Sequence, residues 1–582
     1  MRTTRGVVAA VVAALALLVG CATVPNSGTI RSEDGRNEST RQSGYDVLAD
    51  PPKPGAQPGS VVRGFLEAMS NPDTLNIAKQ YLTAEAAAAW DVRQTRIYDP
   101  QPSALQPEKD IGFRLKASLV ATLDARNAWR PAAPNQQLNV LFTVVEVDGE
   151  NRISTPPPGV LLDRNVSETN YQPHNLYFLN PTNDLLVPDP IYLPINRTQS
   201  QIAHLLMQSL LAGPTSRLGN SVLSAVPPNT ELVRNVTVTD GAANVDLSDA
   251  VKNVGPVERE QLAAQIAWTL RPVGPVRITV QGVPLQDGDN DARTFDSFSR
   301  YDPSVPAADL TQLYVLSKGK INRFMGLDGS GEIKLEPLGQ ASLLSPFTAT
   351  SFAISLNSEL GAVVSGGQVI VARLSMAEGE KEKRLPASGK VIRPSFDWAG
   401  NLWFVDRADS GPRVWMMDKE QNLVEVEADF QGNEVRALRM APDGVRALAV
   451  VHKNGKSALW IGRVQIGENN KRSLVGFHSL QVGFDDMVDA AWSKADRVTV
   501  VGTKGDDPKS QPLEVNVDGS LPGLVAGVAK YNVTAVAATP NVESLLILQI
   551  NDAKLQRRTR DLQWDDPLDS TNYSAVYPVY PG

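Results

Sequence analysis

The spacing of apolar residues changes along the chain, and each change predicts a different kind of domain. Ser60 is the predicted N-cap of a first helix, and the apolar residues recur every three or four positions from there up to Trp90, which predicts short helices. From Leu138 to Val147 apolar and polar residues alternate, and the turn pair Asp148-Gly149 follows, which predicts a strand that enters a hairpin. Helices followed by strands predict an α+β domain over residues 60–185, for which we favour a cone of the nuclear-transport-factor-2-like (NTF2-like) type.

Residues 186–295 predict a second α+β domain. Residues 198–201 have the pattern of a capping box, and the helix that they open is stopped by Gly213-Pro214. Asp240-Gly241 joins two strand-like runs, which is a strong signal for a two-residue hairpin loop. A second helix is predicted from Pro256, and a strand follows from Val276. The order is therefore helix, hairpin, helix, strand.

Residues 305–582 lack helical periodicity and contain short strands that recur at a spacing of roughly 40 to 48 residues. Each repeat has an apolar strand, a turn with Pro, Asp or Gly, and further strands. Representative anchors are residues 351–355, 393–397, 435–440, 488–493 and 533–538. This pattern predicts a C-terminal β-propeller of about six blades. The alternative interpretation is a β-sandwich in which the spacing is accidental.

The first residues predict export and lipid attachment. Arg2 and Arg5 precede an apolar run from Val7 to Val19, so residues 1–20 resemble a signal peptide. The run ends in Leu-Val-Gly-Cys at residues 18–21, which resembles a lipobox with cleavage between Gly20 and Cys21. A thiolate is the nucleophile that such a modification requires. We therefore expect Cys21 to become an N-palmitoyl, S-diacylglycerol cysteine; the alternative is an ordinary secreted protein with an unlipidated cysteine.

The composition of the remaining chain agrees with an anchored, exported protein. Cys21 is the only cysteine of the 582 residues, so no disulfide can form within the chain. Residues 21–59 are polar and rich in proline and glycine, which predicts a disordered tether behind the lipid. The formal net charge of −8 gives no general attraction to nucleic acid, and we expect no nucleic-acid partner.

The chain offers little in the way of catalytic or metal-binding motifs. Its four histidines, His174, His204, His452 and His478, are scattered and have no metal-ligand spacing around them. A Ser-His-Asp site is equally poorly supported, and His204 is interpreted as structural. We expect no catalytic residues, no metal, no cofactor and no enzymatic activity. A hydrolase whose site is assembled from residues far apart in the sequence is the alternative.

Two groups of acidic residues have part of the pattern of a known kind of site. Asp287, Asp289 and Asp291 have the alternate spacing of a calcium loop, but Phe298 stands where an EF-hand needs its bidentate glutamate. We interpret the segment as a linker between domains. Asp485-Asp486 has the composition of a glycosidase pair, but adjacent residues on a strand point to opposite faces. Surface acidity explains this pair.

Four tryptophans of the predicted blades suggest a second class of function, which is ligand binding. They are Trp403, Trp415, Trp460 and Trp492. A platform of exposed tryptophans could stack on sugars, so a cell-wall glycan or peptide ligand bound through the propeller is the alternative function. Aromatic residues of propeller blades more often belong to the core, which is the interpretation that we favour.

Taken in order, these parts resemble the LpqB family of actinobacterial lipoproteins over essentially the whole chain. The resemblance rests on the lipobox, the tether, an N-terminal domain, a GerMN-type domain and a propeller, in that order. The motifs that carry it are Cys-Ala-Thr-Val-Pro at 21–25, Gly-Phe-Leu-Glu-Ala-Met at 64–69, Leu-Tyr-Phe-Leu at 176–179, Leu-Val-Pro-Asp-Pro at 186–190, Leu-Ala-Gly-Pro at 211–214 and Val-Asp-Leu-Ser at 245–248.

The resemblance implies an accessory role in signalling. The family is linked to the two-component system MtrA and MtrB, which is tied to cell-wall homeostasis and division. The lipoprotein is thought to contact the extracellular part of the sensor kinase. By this resemblance the chain is expected on the extracytoplasmic face of the cell membrane, held there by its lipid, with an MtrB-like sensor kinase as its partner.

Overall fold

The computed structural model describes residues 49–582, except 102, 109–111, 287–290, 305–311, 328–332, 340–341, 376–379, 481, 506, 521–531, 540–546, 551–553, 559–563 and 565–574. Gly20, Cys21 and the predicted leader lie outside these residues, as does the predicted tether up to residue 48. Within the described part, no helix is both long enough and apolar enough to span a membrane.

The first domain packs short helices against a mostly antiparallel sheet. Its helices are α1 (Pro58–Ala68), α2 (Leu75–Gln80), α3 (Ala84–Ala89) and α4 (Arg164–Asn170). Its strands are β1 (Thr95–Tyr98), β2 (Leu105–Glu108), β3 (Gly112–Leu123), β4 (Trp129–Pro131), β5 (Gln137–Val147), β6 (Glu150–Thr155) and β7 (Val160–Asp163). The sheet order is β6-β5-β3-β1-β7, with β2 and β4 pairing with β3. The predicted α+β class is confirmed, and the NTF2-like cone stays a prediction.

The start of α1 differs from the sequence-based expectation. The helix begins at Pro58 rather than at Ser60, with Gln57 as N-cap and no side-chain cap. Proline suits the first helical position because its φ is already helical and its missing N–H would have no partner there. Phe65 of α1 is fully buried and packs against Trp90 and Phe142, with ring centroids 5.2 and 6.3 Å away. These aromatic contacts join helices and sheet.

The second domain follows the predicted order of helix, hairpin, helix and strand. Its elements are β8 (Tyr171–Leu179), β9 (Leu186–Pro194), α5 (Gln199–Leu211), β10 (Thr237–Thr239), β11 (Ala242–Leu247), α6 (Pro256–Thr269), β12 (Val276–Val280) and β13 (Val283–Pro284). The predicted capping box is present between Thr198 and Gln201. Asp240 and Gly241 have φ of 52° and 70°, as the tight hairpin between β10 and β11 requires. Helix α6 crosses over between the parallel strands β11 and β12.

The border between the first two domains falls before the β8-β9 hairpin. These strands pair along their full length, from Tyr171 opposite Pro194 to Leu179 opposite Leu186. Leu176 and Phe178 of β8 share one buried cluster with α5 and α6. The sequence-based border at 185/186 falls between the two strands of this hairpin. By packing, residues 171–185 belong to the second domain.

The third domain is a β-propeller with six blades. Its strands are β14 (Tyr314–Ser317), β15 (Lys320–Leu327), β16 (Ile333–Pro337), β17 (Ser351–Ile354), β18 (Leu360–Ser365), β19 (Gln368–Arg373), β20 (Lys383–Leu385), β21 (Ser395–Phe396), β22 (Leu402–Ala408), β23 (Gly411–Met417), β24 (Leu423–Ala428), β25 (Glu434–Met440), β26 (Arg446–Lys453), β27 (Lys456–Ile466), β28 (Arg472–Leu480), β29 (Asp486–Lys494), β30 (Arg497–Thr503), β31 (Gln511–Asn516), β32 (Val533–Ala537), β33 (Ile547–Ile550), β34 (Lys554–Arg557) and β35 (Ala575–Val579).

The blades close into a ring through the C-terminal strand. The first blade has the order β16-β15-β14-β35, so the last strand of the chain completes the sheet that the first propeller strands begin. The inner strands contact their neighbours in the cyclic order β35, β17, β21, β25, β29, β32 and back to β35. Pairing of β14 with β35 thus joins the two ends of the propeller sequence in one blade. The predicted propeller of about six blades is confirmed.

The second domain docks on one end of the propeller. It contacts the turns that follow inner strands: Asn180 donates to the Asp443 carbonyl after β25, and Asn175 donates to Asp496 after β29. Val445, from the first of these turns, belongs to the buried cluster of the second domain. The starts of the inner strands therefore lie at the opposite end of the propeller.

Candidate functional site

A cavity of about 410 Å³ occupies the centre of the propeller, where the inner strands begin. Six inner strands contribute to its wall, through residues that include Ser351, Arg393, Arg436, Asp489 and Tyr577. Because the second domain contacts the turns after these strands, the cavity lies toward the end of the propeller that faces away from that domain. This propeller channel is the first candidate site.

Two guanidinium groups share one carboxylate at the wall of the channel. Arg439 Nη2 lies 2.8 Å from Asp489 Oδ1, and Arg393 Nη1 lies 3.8 Å from Asp489 Oδ2. The Val536 amide also donates to Asp489 Oδ2, at 3.1 Å. The side chains of Arg393 and Asp489 are only 8% and 9% exposed. The Asp489 carboxylate therefore balances the charge of Arg439, and the buried charge of Arg393 lies next to this pair.

The pKa of Arg393 reflects this crowding of positive charge. Burial and, to a smaller extent, the neighbouring Arg439 cation lower the pKa of the guanidinium to about 10, against the opposing effect of Asp489. Arg393 still carries its proton at neutral pH. Burial also raises the pKa of the Tyr577 hydroxyl, with the Asp489 charge acting in the same direction. At neutral pH this part of the channel wall thus holds a buried cation, that of Arg393, and a protonated phenol, that of Tyr577.

Two further arginines at the channel are held by ion pairs. Arg407 Nη1 lies 2.6 Å from Glu434 Oε1, and Arg436 Nη1 lies 2.5 Å from Asp486 Oδ1. Ser457 Oγ donates to the same Asp486 oxygen at 2.7 Å. These contacts fix the directions of long side chains that would otherwise sample many rotamers.

A serine, a histidine and an aspartate meet beside Arg436, although no such site is predicted from the sequence. Ser457 Oγ and Asp486 Oδ1 lie 3.1 and 3.6 Å from His452 Nδ1. In a catalytic triad one ring nitrogen faces the serine and the other faces the aspartate. Here both face Nδ1, and the serine hydroxyl donates directly to the carboxylate. The arrangement orients Arg436 and lacks the relay of a nucleophilic serine.

The second candidate site is a cleft of about 450 Å³ where all three domains meet. Its walls come from residues 128–134 of the first domain, Ser216 and Arg217 of the second, and Arg463 and His478 of the propeller. Arg217 connects all three domains: Nη2 donates to the Trp129 carbonyl, and Nη1 lies 3.0 Å from His478 Nε2. One side chain therefore couples the domains at this junction.

Other polar contacts strengthen the junction. Tyr192 of β9 donates to Asp518 of the propeller at 3.0 Å, in a buried position. Arg130 of the first domain donates to Ser216 of the second at 2.6 Å. Polar groups that are buried between domains are costly when unpaired, so the Tyr192–Asp518 bond favours one relative arrangement of the second domain and the propeller.

Replacing His478 by glutamine is expected to flatten the loss of stability on acidification. Burial and the Arg217 charge lower the pKa of His478 from 6.5 to about 4. As the pH falls from 6.5, the unfolded chain binds a proton at this residue before the folded protein does, which favours unfolding. Between pH 7 and pH 4 this residue alone lowers the free energy of unfolding by as much as about 3 kcal/mol. Unfolding midpoints measured from pH 7 to pH 4 report the effect.

His204→Gln is the matched control for this prediction. His204 lies on α5, where its Nδ1 accepts a bond of 3.4 Å from the Val236 amide, as a structural histidine does. This control removes a histidine from α5 rather than from the Arg217 junction, and it should flatten the pH profile less than His478→Gln does. If the unfolding midpoint of His478→Gln falls with pH as steeply as that of the unsubstituted protein, the prediction is wrong.

The structure describes some of the acidic residues that were candidates from the sequence and not others. Asp287 and Asp289 lie outside the described residues, like Gly20 and Cys21, and Asp291 is exposed. Asp485 accepts from the Gly505 amide while Asp486 accepts from Ser457, so the two carboxylates serve different neighbours, as predicted. In the described part of the chain, no three or more His, Cys, Asp or Glu side chains are grouped as metal ligands.

The tryptophans of the blades divide into two pairs. Trp403 and Trp492 are buried, which confirms their interpretation as core residues. Trp415 and Trp460 are half-buried, and Arg413 stacks over the Trp415 ring at 4.8 Å. The structure thus assigns at least two of the four to the packing of the blades.

Comparison with known protein families gives the same domain order. The profile described as "Lipoprotein LpqB, N-terminal domain" matches residues 51–168, and "Sporulation and spore germination" (Germane) matches 175–286. "Lipoprotein LpqB beta-propeller domain" matches residues 330–581. The second match begins within β8, in agreement with the packing of the β8-β9 hairpin.

Curated relatives match over nearly the whole chain. Lipoprotein LpqB of Cutibacterium acnes is 27% identical over 97% of this chain and 98% of its own length. Lipoprotein LpqB of Streptomyces coelicolor is 28% identical over 99% and 98%, respectively. Among solved structures, TolB from Acinetobacter baumannii aligns with a TM-score of 0.36 at 13% identity, over 60% of this chain and 82% of TolB. The ordered domain matches and the full-length relatives show that the chain belongs to the LpqB family of lipoproteins.

Proposed function

We propose that the protein is an extracytoplasmic lipoprotein, anchored to the cell membrane through Cys21, that binds the extracellular domain of an MtrB-like sensor kinase. By this contact it modulates two-component signalling in cell-wall homeostasis and division. It acts as a binding protein and catalyses no reaction. The observation that carries the proposal is the full-length similarity to proteins named lipoproteins, together with a leader that ends in Gly20-Cys21.

The anchor matters because it confines both partners to one membrane surface. A kinase ectodomain and a tethered lipoprotein meet at a high effective concentration, so a contact that is weak in solution would be well populated at the membrane. More than one acyl chain makes such an anchor stable, whereas a single chain binds reversibly. A freely diffusing form of the protein should therefore regulate poorly even if its contact surface is intact.

The domain junction supports a role as a rigid binding body. Arg217 and Tyr192 tie the first two domains to the propeller through partly or fully buried hydrogen bonds. Pre-organised domains lose little conformational entropy when they bind, which favours affinity. The propeller end that carries the channel faces away from the second domain and is the surface that we propose for the kinase.

A reporter for the two-component system tests this function in cells. Deletion of the gene should change reporter output, and the unsubstituted gene should restore it. Cys21→Ala, expressed at the same level, should fail to restore the output because the protein is no longer held beside the kinase. Unchanged output after deletion would refute the proposed signalling role.

A further inference from the structure

The propeller channel carries an excess of positive charge that the described residues do not balance. Its lining includes Arg393, Arg407, Arg436 and Arg439 and two carboxylates, those of Glu434 and Asp489. A third carboxylate, that of Asp486, pairs with Arg436, which leaves one guanidinium group in excess. The chain as a whole has a net charge of −8, so this local surplus runs against the overall charge of the protein. A concave surface of one sign concentrates the field at its centre.

Arg393 is the group whose charge is least compensated. Arg407, Arg436 and Arg439 each have a carboxylate oxygen within 2.8 Å, whereas that of Arg393 lies 3.8 Å away. Within the described part of the chain, its Nε and Nη1 are buried and have no hydrogen-bond partner. A buried guanidinium without partners is costly, and the fork of N–H groups fits an oxyanion.

The size of the channel limits what can enter. A cavity of about 410 Å³ is within the range of sites that bind small molecules, roughly 300 to 1,000 Å³. The Tyr577 side chain also lines it, and a protonated phenol is a further donor for an anion. Arg407 and Arg436 are already engaged by Glu434 and Asp486, so they add long-range attraction while Arg393 and Arg439 offer direct contacts.

We propose that the propeller channel is a binding site for a small solute with a carboxylate or phosphate group, which Arg393 and Arg439 hold between them. The bound oxyanion supplies the negative charge that Asp489 alone cannot provide to two guanidinium groups. The site lies within the ring of inner strands, at the propeller end that we propose for the kinase, and its test needs no kinase.

Isothermal titration calorimetry on the full-length protein in detergent tests this site at low ionic strength. Inorganic phosphate and citrate are the probes, and glycerol is the uncharged control. We expect saturable binding of at least one anion, weakening as salt is added, and no binding of glycerol. Tighter binding of citrate would indicate a carboxylate ligand, and tighter binding of phosphate would indicate a phosphate ligand.

Substitutions locate the site in the channel. Arg393→Gln and Arg439→Gln should each weaken binding of the better anion by about tenfold or more, because each removes a charged donor. Asp489→Asn should tighten it, since this change removes the competing carboxylate. Arg413→Gln, on β23 in an exposed pair with Glu425, is the matched control and should bind like the unsubstituted protein.

The half-exposed Arg407 keeps the test decisive if the buried variants do not fold. Arg407→Gln leaves Glu434 uncompensated near the channel and should weaken anion binding by several-fold through the electrostatic field. Circular dichroism identifies which variants are folded. The proposal is overturned if neither anion binds saturably up to about 10 mM, or if the folded channel variants all bind like Arg413→Gln.

Discussion

Cys21→Ala is expected to abolish incorporation of labelled palmitate and to move the protein out of the membrane fraction. The thiol is the group that takes the diacylglyceryl modification, and alanine offers no nucleophile. The apolar run from Val7 to Val19 is shorter than the roughly 20 residues that a membrane span needs, so it should not replace the lipid as an anchor. Fractionation followed by immunoblotting, with metabolic labelling in parallel, measures both effects.

Ser27→Ala is the control for this substitution, because Ser27 lies in the same predicted tether and has no role in the modification. It should be labelled and retained like the unsubstituted protein. Palmitate labelling of Cys21→Ala at the normal level would contradict the assignment of Cys21 as the modified residue.

Trp403→Ala should destabilise the propeller by about 3 to 5 kcal/mol. Trp403 is 1% exposed, and its Nε1 donates to Asp397 Oδ2 at 2.8 Å. Alanine leaves a large cavity and removes a donor from a buried carboxylate, whose pKa burial already raises. Denaturant titration that follows the propeller transition measures the loss.

Two variants of the same blade serve as comparisons: one loses the hydrogen bond but leaves a smaller cavity, and the other is an exposed control. Trp403→Phe keeps most of the ring and should cost less than Trp403→Ala. Val424→Ala, at a site 43% exposed on β24, should change stability by less than about 0.5 kcal/mol. A loss for Trp403→Ala no greater than that for Val424→Ala would contradict the assignment of Trp403 to the core.

The elements that could be predicted from the sequence are those set by local patterns. The capping box at Thr198 and the hairpin at Asp240-Gly241 depend on side-chain and φ preferences of adjacent residues, and both are present. The propeller is predictable because each blade repeats the same order of strands and turns. Closure by β35 is harder to foresee, since it pairs residues near 314 with residues near 579.

The border between the first two domains could not be placed from periodicity. The pairing of β8 with β9 and its packing against α5 and α6 assign it to the second domain, and this packing joins residues far apart in the sequence. Helix α1 starts two residues before Ser60, which was the predicted N-cap. Ser60 is a good N-cap in isolation, but Pro58 already fixes a helical φ.

The channel arginines were missed although the sequence contains a signal for them. Arg393, Arg439 and Asp489 belong to the repeat anchors themselves, inside or next to strands that are otherwise apolar. Charged residues are rarely buried unless they are paired or functional, so ionisable residues at similar positions of successive blades mark the wall of a channel. Their mutual distances depend on closure of the ring, which no local pattern contains.

The Ser457, His452 and Asp486 cluster shows why a set of residue types is not yet a mechanism. The three side chains meet, but His452 presents the same nitrogen to both partners. Geometry rather than composition separates this cluster from a catalytic triad. It also accounts for the fixed position of Arg436 at the channel.

The most direct test of the proposed function is binding of the full-length lipoprotein, in detergent, to the purified extracellular domain of the cognate sensor kinase. We predict saturable binding that is unchanged by Cys21→Ala, since the lipid confines the protein but makes no contact with the kinase. No binding up to about 100 μM would contradict the account and would favour a cell-wall ligand for the propeller instead.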